Sequence, residues 1–195
     1  GTTSVAGDDS YSRSWTVPDV INNSIYLRVE NAANAAVYKT YGPYTIKGLV
    51  TITNPTGTVW VVGEPTNTVS GTVKGDIDSL TLQYTTVASP VENDWINLTA
   101  SPVTIGNNSG TTSAAWTLAA GSFTVPDVIT TSLKLRAIDG TTARAAALIG
   151  KSAAITNSVT VRGALTITTP SALYAGDTSD VTWTVRGNIG NVRIC

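Results

Sequence analysis

The chain of 195 residues contains no histidine, no methionine and one cysteine, Cys195. Histidine is the usual general base near neutral pH and the commonest metal ligand, so its absence argues against enzymes that depend on it. A single cysteine also excludes an intrachain disulfide. We therefore expect a protein that is not an enzyme, with no catalytic residues and no cofactor.

Charge is scarce as well. Charged residues make up 13% of the chain and leave a net charge of −1. Such a chain has no basic field to attract phosphate backbones, so we expect no nucleic-acid partner. No apolar run reaches the roughly 18 residues that span a bilayer, and residues 1–10 lack the features of a signal peptide. We expect no membrane insertion in this segment. The abundance of Thr, Val, Ala, Ser and Asn favours an extracellular or cell-surface location.

The chain does contain an internal repeat. Ser-Trp-Thr-Val-Pro-Asp-Val at residues 14–20 returns as Ser-Phe-Thr-Val-Pro-Asp-Val at residues 122–128, an offset of 108 (122 − 14). Lys47-Gly48 returns as Arg162-Gly163, an offset of 115 (163 − 48), so the second copy gains seven residues (115 − 108). A match sustained along the whole chain indicates one architectural unit used in tandem.

The local pattern predicts strands. Val50-Thr51-Ile52-Thr53 and Val159-Thr160-Val161-Arg162 alternate apolar with polar residues, which is typical of a sheet with one dry face. Similar stretches recur about every ten residues between Gly, Pro, Asn and Asp, as in an antiparallel β-sandwich. Alanine favours short helical turns at Asn31–Val37 and Ala143–Ala154. The fold class that we predict is all-β.

Further motifs identify a resemblance. Pro55 is followed by Trp60-Val61-Val62-Gly63-Glu64, and a strand pattern at Val181-Thr182-Trp183 accompanies the Trp-Thr-Val-Pro-Asp motif. In these features the chain resembles the immunoglobulin-like tandem repeats of large bacterial secreted and cell-surface proteins, a group related to a Ser/Thr-rich cell-wall domain. The resemblance covers nearly the whole chain and implies tandem immunoglobulin-like antiparallel β-sandwich modules without catalytic residues.

The two copies differ at their core tryptophans. Gly71 stands where the other copy has Trp183, and Leu173 stands where the first copy has Trp60.

The resemblance also implies module boundaries. Residues 1–47 would be the C-terminal half of one module, residues 48–162 a complete module, and residues 163–195 the N-terminal half of another. A half sandwich exposes a dry face and a sheet edge. It could be completed by missing sequence, within the chain, or by a neighbouring subunit. We expect residues 1–47 to meet a segment equivalent to residues 163–195 of another copy.

Several residues are candidates for binding. Tyr38, Tyr41 and Tyr44 could stack on a cell-surface glycan, although tyrosine also packs at protein interfaces. The triplets at Asn22, Asn97 and Asn107 satisfy the N-glycosylation pattern.

Other polar residues have a turn-forming or a ligand-binding interpretation. The acidic groups Asp8-Asp9, Asp76-Ile77-Asp78 and Glu92-Asn93-Asp94 could offer oxygen ligands to calcium or form solvated turns. Asp19 and Asp127 are expected to bond nearby backbone N–H groups in the turns after Pro18 and Pro126. Arg28 and Arg136 occupy matching positions and could bind a ligand carboxylate, although a solvated or turn-bracing arginine is the favoured interpretation.

These observations lead to one main hypothesis and one alternative. The main hypothesis is a non-enzymatic structural or adhesive extracellular repeat protein that forms a rod, fibre or surface layer, with copies of itself or further repeats as partners. Strand exchange between copies would be one way to join them. The alternative is a carbohydrate-binding accessory module of a secreted enzyme that uses the three tyrosines.

Overall fold

The computed structural model describes most of the chain and shows strands throughout it. The described residues contain thirteen strands, one short 3₁₀ helix and no α-helix, which confirms the all-β prediction. None of them lies in a helix with the length and hydropathy needed to cross a membrane. The described residues are 10–106, 113–141, 144, 148–151, 159–168, 172 and 174–194.

The strands follow one another in short connections. They are β1 (Asn22–Asn31), β2 (Asn34–Ile46), β3 (Leu49–Asn54), β4 (Val59–Val61), β5 (Val69–Lys74), β6 (Ser79–Thr85), β7 (Ile96–Asn97), β8 (Val103–Thr104), β9 (Ala114–Leu118), β10 (Thr130–Asp139), β11 (Val159–Arg162), β12 (Ala164–Thr168) and β13 (Thr182–Arg186). The 3₁₀ helix, Glu92–Asp94, lies between β6 and β7.

The middle of the chain forms a two-sheet β-sandwich. One sheet has the order β3-β5-β9, and the other has the order β4-β11-β10-β6-β7, with β8 also paired to β6. The pairings are antiparallel apart from the parallel pair β4 and β11. Alternation places one face of each sheet in the core, as in β5, where Val69, Gly71 and Val73 are buried and the residues between them are not. The fully buried apolar residues run from Val50 to Val161.

Two separate hairpins flank this sandwich. Strands β1 and β2 pair as the N-terminal hairpin, and β12 and β13 pair as the C-terminal hairpin.

Repeated positions pair in the same register. In the N-terminal hairpin Asn22 is opposite Ile46 and Ile25 is opposite Tyr44; in the sandwich Thr130 is opposite Val161 and Leu133 is opposite Val159. In the C-terminal hairpin Leu165 is opposite Val185 and Ile167 is opposite Trp183; in the sandwich Val50 is opposite Val73 and Ile52 is opposite Gly71. The same sequence offsets, 108, 115 or 112 residues, relate each residue of a hairpin pair to its counterpart in the sandwich.

The repeated Val-Pro-Asp segments also have the same turn. The N–H of Val20 donates to the carbonyl oxygen of Pro18 at 2.9 Å, and the N–H of Val128 donates to that of Pro126 at 2.8 Å. The bond that closes each turn is therefore a backbone bond rather than the expected bond to the aspartate side chain.

The helix expected at Asn31–Val37 is wrong, because Asn31 ends β1, residues 32–33 form the turn of the N-terminal hairpin and residues 34–37 begin β2. The Oδ1 atom of Asn31 accepts the N–H groups of Ala33 at 2.8 Å and Asn34 at 3.0 Å, which closes the turn between β1 and β2. Asparagine commonly forms this local bond, and here it outweighs the helix preference of the alanines. Most of Ala143–Ala154 lies outside the described residues.

The difference between Gly71 and Trp183 has a packing reason. Gly71 is opposite Trp116 of β9, and a Cβ atom at Gly71 would lie 2.9 Å from Trp116 Cζ2 and would collide with the carbonyl oxygen of Thr51. The sandwich therefore takes a core tryptophan from β9, and the facing position on β5 must be glycine. Leu173, the other departure, lies outside the described residues.

Candidate interaction surfaces

One face of the N-terminal hairpin is apolar and uncovered. Ile25 is opposite Tyr44, and Leu27 is opposite Tyr41; because opposite residues point to the same side of a sheet, these side chains share a face. We call the surface formed by Trp15, Val17, Ile25, Leu27, Tyr44 and Ile46, which line one shallow groove, the N-terminal apolar face.

The repeat shows what this face corresponds to. The offsets place its six members on Phe123, Val125, Leu133, Leu135, Val159 and Val161, all buried in the sandwich core. Leu135 is 0% exposed, whereas its counterpart Leu27 is 38% exposed. The N-terminal apolar face is therefore the equivalent of a core surface that lacks its opposing sheet.

The C-terminal hairpin has the complementary surface. Leu165, Ile167, Trp183 and Val185 form the C-terminal apolar face, and all four side chains are exposed. Their counterparts are Val50, Ile52, Gly71 and Val73 in β3 and β5. In the sandwich, the sheet that contains β3 and β5 lies against the sheet that contains β10 and β11. The two uncovered faces thus correspond to the two sides of one core.

The hairpin does not bring the three candidate tyrosines together on one side. Tyr38 lies beneath the guanidinium of Arg28, 4.1 Å from its ring centroid. Its partner across the hairpin is Glu30, so Tyr38 lies on the side opposite to Leu27 and Tyr41. A β-bulge between the pairs of Ile25 and Leu27 carries Tyr44 onto the side of Tyr41. Tyr41 and Tyr44 therefore lie on the side of the hairpin that carries the N-terminal apolar face, and Tyr38 lies on the other side.

Arg136 holds the most tightly connected polar cluster. Its Nη1 and Nη2 atoms donate to the two carboxylate oxygens of Glu92, each at 2.9 Å, and its Nε donates to Gln83 Oε1 at 2.7 Å. The guanidinium also stacks 4.5 Å from the ring centroid of Trp95. All of these bonds from the buried guanidinium go to other residues of the protein. Arg136 therefore braces the segment Glu92–Trp95 against the sheet.

Glu92 responds electrostatically to this arrangement. The hydrogen bond from Arg136, followed by one from Lys151 at 2.7 Å, lowers the pKa of the Glu92 carboxyl from 4.5 to about 2. The pairing joins residues 44 positions apart, so local sequence patterns contain no signal for it. In the first copy, Arg28 pairs with Glu30 at 2.8 Å and stacks on Tyr38. Arg136 thus braces the turn at Glu92–Trp95, and Arg28 is half-exposed on its own hairpin, so the two fit the turn-bracing and the solvated interpretation of the sequence.

The acidic groups within the described residues do not come together. The described residues contain no cluster of three or more acidic or cysteine side chains that could hold a metal ion. Asp76 and Asp78 lie in a turn held by backbone bonds, including one from the N–H of Ile105 to the carbonyl oxygen of Asp78 at 2.9 Å. The Oδ2 atom of Asp94 accepts the N–H of Val91 at 2.7 Å. Asp8 and Asp9 lie outside the described residues.

Two of the three glycosylation candidates can be placed. Asn22 begins β1 and its Oδ1 accepts the N–H of Ser24 at 2.7 Å; Asn97 lies in β7 and its Oδ1 accepts Gln83 Nε2 at 2.7 Å. Both residues are exposed. Asn107 lies outside the described residues.

No protein-family model matches the chain, and no curated protein matches it with significant similarity.

Proposed function

We propose that this chain is a non-enzymatic structural or adhesive repeat protein of the cell exterior, in which sandwich modules follow one another along a rod, fibre or surface layer. The observation that carries the proposal is that the two hairpins repeat, in the same register, the two sides of the sandwich core. A chain built this way has a mechanical function, because each module supplies a packed core and each short junction limits bending.

The strand order supports an immunoglobulin-like module at residues 48–162. Strands β3, β5 and β9 share one sheet, and β6, β10 and β11 are neighbours in the other. This corresponds to strands A, B and E against C, F and G of the immunoglobulin fold. The motifs that resemble bacterial surface repeats, together with the low charge and the many Thr and Ser residues, support the extracellular location.

The uncovered faces support assembly with sheets of the same kind. Each square ångström of apolar surface removed from water contributes about 25 cal/mol, so covering the N-terminal apolar face is favourable. Its counterpart in the sandwich is covered by the sheet that contains β3 and β5, and the C-terminal apolar face has the register of those strands. We propose that copies of the chain, or further repeats in a longer chain, supply the covering sheet.

The carbohydrate-binding alternative has less support. Stacking on a sugar requires rings presented together, and Tyr38 lies on the opposite side of the hairpin from Tyr41 and Tyr44. The exposure of Tyr44 follows from the uncovered face, since its counterpart Val159 is a core residue.

Self-association of the full chain tests the proposal. We expect the mass measured by light scattering to rise with protein concentration and negative-stain images to show filaments or layers. Leu27→Glu places a charge on the N-terminal apolar face and should abolish this association. Thr40→Glu is the matched control, because Thr40 lies opposite Arg28 on the other side of the same hairpin, where the new charge has the opposite sign to its neighbour. A wild-type chain that stays monomeric at all concentrations would contradict assembly between copies, and glycan binding that is lost in Tyr41→Ala would favour the alternative.

A further inference from the structure

The N-terminal hairpin joins the sandwich at Lys47-Gly48, and the sandwich joins the C-terminal hairpin at Arg162-Gly163. Two isoleucines and two glycines at equivalent positions meet at each of these junctions. They are Ile21, Gly48, Gly75 and Ile77 at the first junction, and Ile129, Gly163, Gly187 and Ile189 at the second. The offsets are those of the repeat: 108 for the first isoleucine (129 − 21), 115 for the first glycine (163 − 48) and 112 for the other two (187 − 75 and 189 − 77). Each set joins residues from both sides of its junction.

At the first junction, Ile21 lies in a notch between two glycines. A Cβ atom on Gly75 would lie 3.0 Å from Ile21 Cγ1, and a Cβ atom on Gly48 would lie 2.9 Å from Ile21 Cδ1. Ile77 closes the notch from the core side, with its Cδ1 atom 2.8 Å from the same Gly48 position. Ile21 precedes β1, yet it packs against the core of the following sandwich.

The second junction reproduces the contact of the isoleucine with the later of the two glycines. The Cδ1 atom of Ile129 lies 3.3 Å from the position of a Cβ on Gly187, and Ile189 Cγ1 lies 2.6 Å from that of a Cβ on Gly163. Ile129, Gly163 and Ile189 line one cavity. Here the receiving side belongs to the C-terminal hairpin, and the isoleucine comes from the sandwich.

The two glycines of each notch are required for different reasons. Gly75 and Gly187 have φ values of +89° and +83°, a backbone conformation that favours glycine. Gly48 and Gly163 do not have a positive φ. A Cβ atom would meet isoleucine side chains at Gly48, and Ile189 together with the carbonyl oxygen of Arg186 at Gly163.

We propose that the isoleucine after each Val-Pro-Asp-Val segment is a docking residue that packs against the pair of neighbouring glycines of the following module and fixes the orientation of successive modules. The backbone bond from the valine N–H to the proline carbonyl holds the turn immediately before the isoleucine. The partner that this isoleucine fits is a module with two glycines. One directly precedes its first strand, and the other, with a positive φ, lies in the turn after the strand equivalent to β5. The inference rests on the proposed function only in taking the flanking hairpins as parts of successive modules.

Residual dipolar couplings on the full chain test the docking. In the wild type, amides of β12 and β13 should fit the same alignment tensor as the sandwich. Ile129→Ala and Gly163→Ala alter the notch from its two sides, and both should remove the shared alignment. Cross-strand contacts between Leu165 and Val185 check that the C-terminal hairpin itself is retained. Ile96→Ala is the matched control, because Ile96 in β7 is 56% exposed and Ile129 is 48% exposed.

The outcomes separate this inference from the proposed function. Independent alignment of the hairpin in the wild type, or a shared alignment that survives in both variants with the hairpin folded, would overturn the docking. If the C-terminal hairpin and the sandwich share one alignment tensor in a chain that never self-associates, the docking is supported and the proposed assembly between copies is wrong.

Discussion

The repeat supplies a pair of leucines at the same position, one in a complete core and one on an uncovered face. Leu135 and Leu27 are related by the offset of 108 (135 − 27), but Leu135 is fully buried and Leu27 is partly exposed. We expect Leu135→Ala to destabilise the sandwich strongly and Leu27→Ala to leave it almost unchanged in dilute solution.

The magnitude follows from burial. Leucine to alanine removes three carbons, and at about 0.8 kcal/mol for each buried carbon the lost transfer free energy is about 2.4 kcal/mol. The cavity left behind raises the cost for Leu135→Ala to about 3 kcal/mol. The strands of the sandwich extend over 114 residues from Leu49 to Arg162 (162 − 49 + 1), and at about 4 °C for each kcal/mol this lowers its Tm by about 12 °C. For Leu27→Ala the free energy of unfolding should change by less than about 1 kcal/mol.

Thermal unfolding followed by tryptophan fluorescence measures both effects, because Trp60 and Trp116 are buried in the sandwich core. The comparison is made at low protein concentration, where the N-terminal apolar face stays uncovered. Raising the concentration should enlarge the effect of Leu27→Ala, since assembly covers this face. Equal losses of Tm for the two variants in dilute solution would refute the structural distinction between the two leucines.

Two further predictions concern the sandwich itself. The pKa of Glu92 is lowered from 4.5 to about 2 in the folded chain, so its pairing stabilises the fold above pH 4.5 and this contribution is lost as the pH falls from 4.5 towards 2. Glu92→Gln should reduce the loss of stability across that window in urea titrations at several pH values, and an unchanged pH profile would exclude the pairing. Gly71→Ala should destabilise the sandwich by about 1–3 kcal/mol, because a Cβ atom there meets Trp116 and the Thr51 carbonyl. A urea midpoint equal to the wild-type value would contradict the clash expected from the Gly71 position.

The contacts of Arg136 with Glu92 and Trp95 could not be predicted from the sequence. The matching positions of Arg28 and Arg136 were visible, but the partners of Arg136 come from another part of the chain, and only folding brings them together. Ile21 and Ile129 were also missed as docking residues. Their signal was present, since an isoleucine directly follows Val-Pro-Asp-Val in both copies.

The tyrosines illustrate a different limit. In a regular strand, Tyr38 and Tyr44 would share one side and Tyr41 would lie on the other, because side chains alternate. The bulge next to Tyr44 shifts that alternation by one residue. Alternation alone already separates the three tyrosines, and the bulge decides that Tyr44 shares a side with Tyr41 instead of Tyr38.

The sequence by itself determined the all-β class and the offsets that relate the repeated strands, because alternation and turn residues act locally and recur along the chain. Tertiary structure decided which copies of those strands have a covered core. Leu27 and Leu135 occupy the same place in the pattern, and they differ because burial depends on a second sheet contributed by distant parts of the chain.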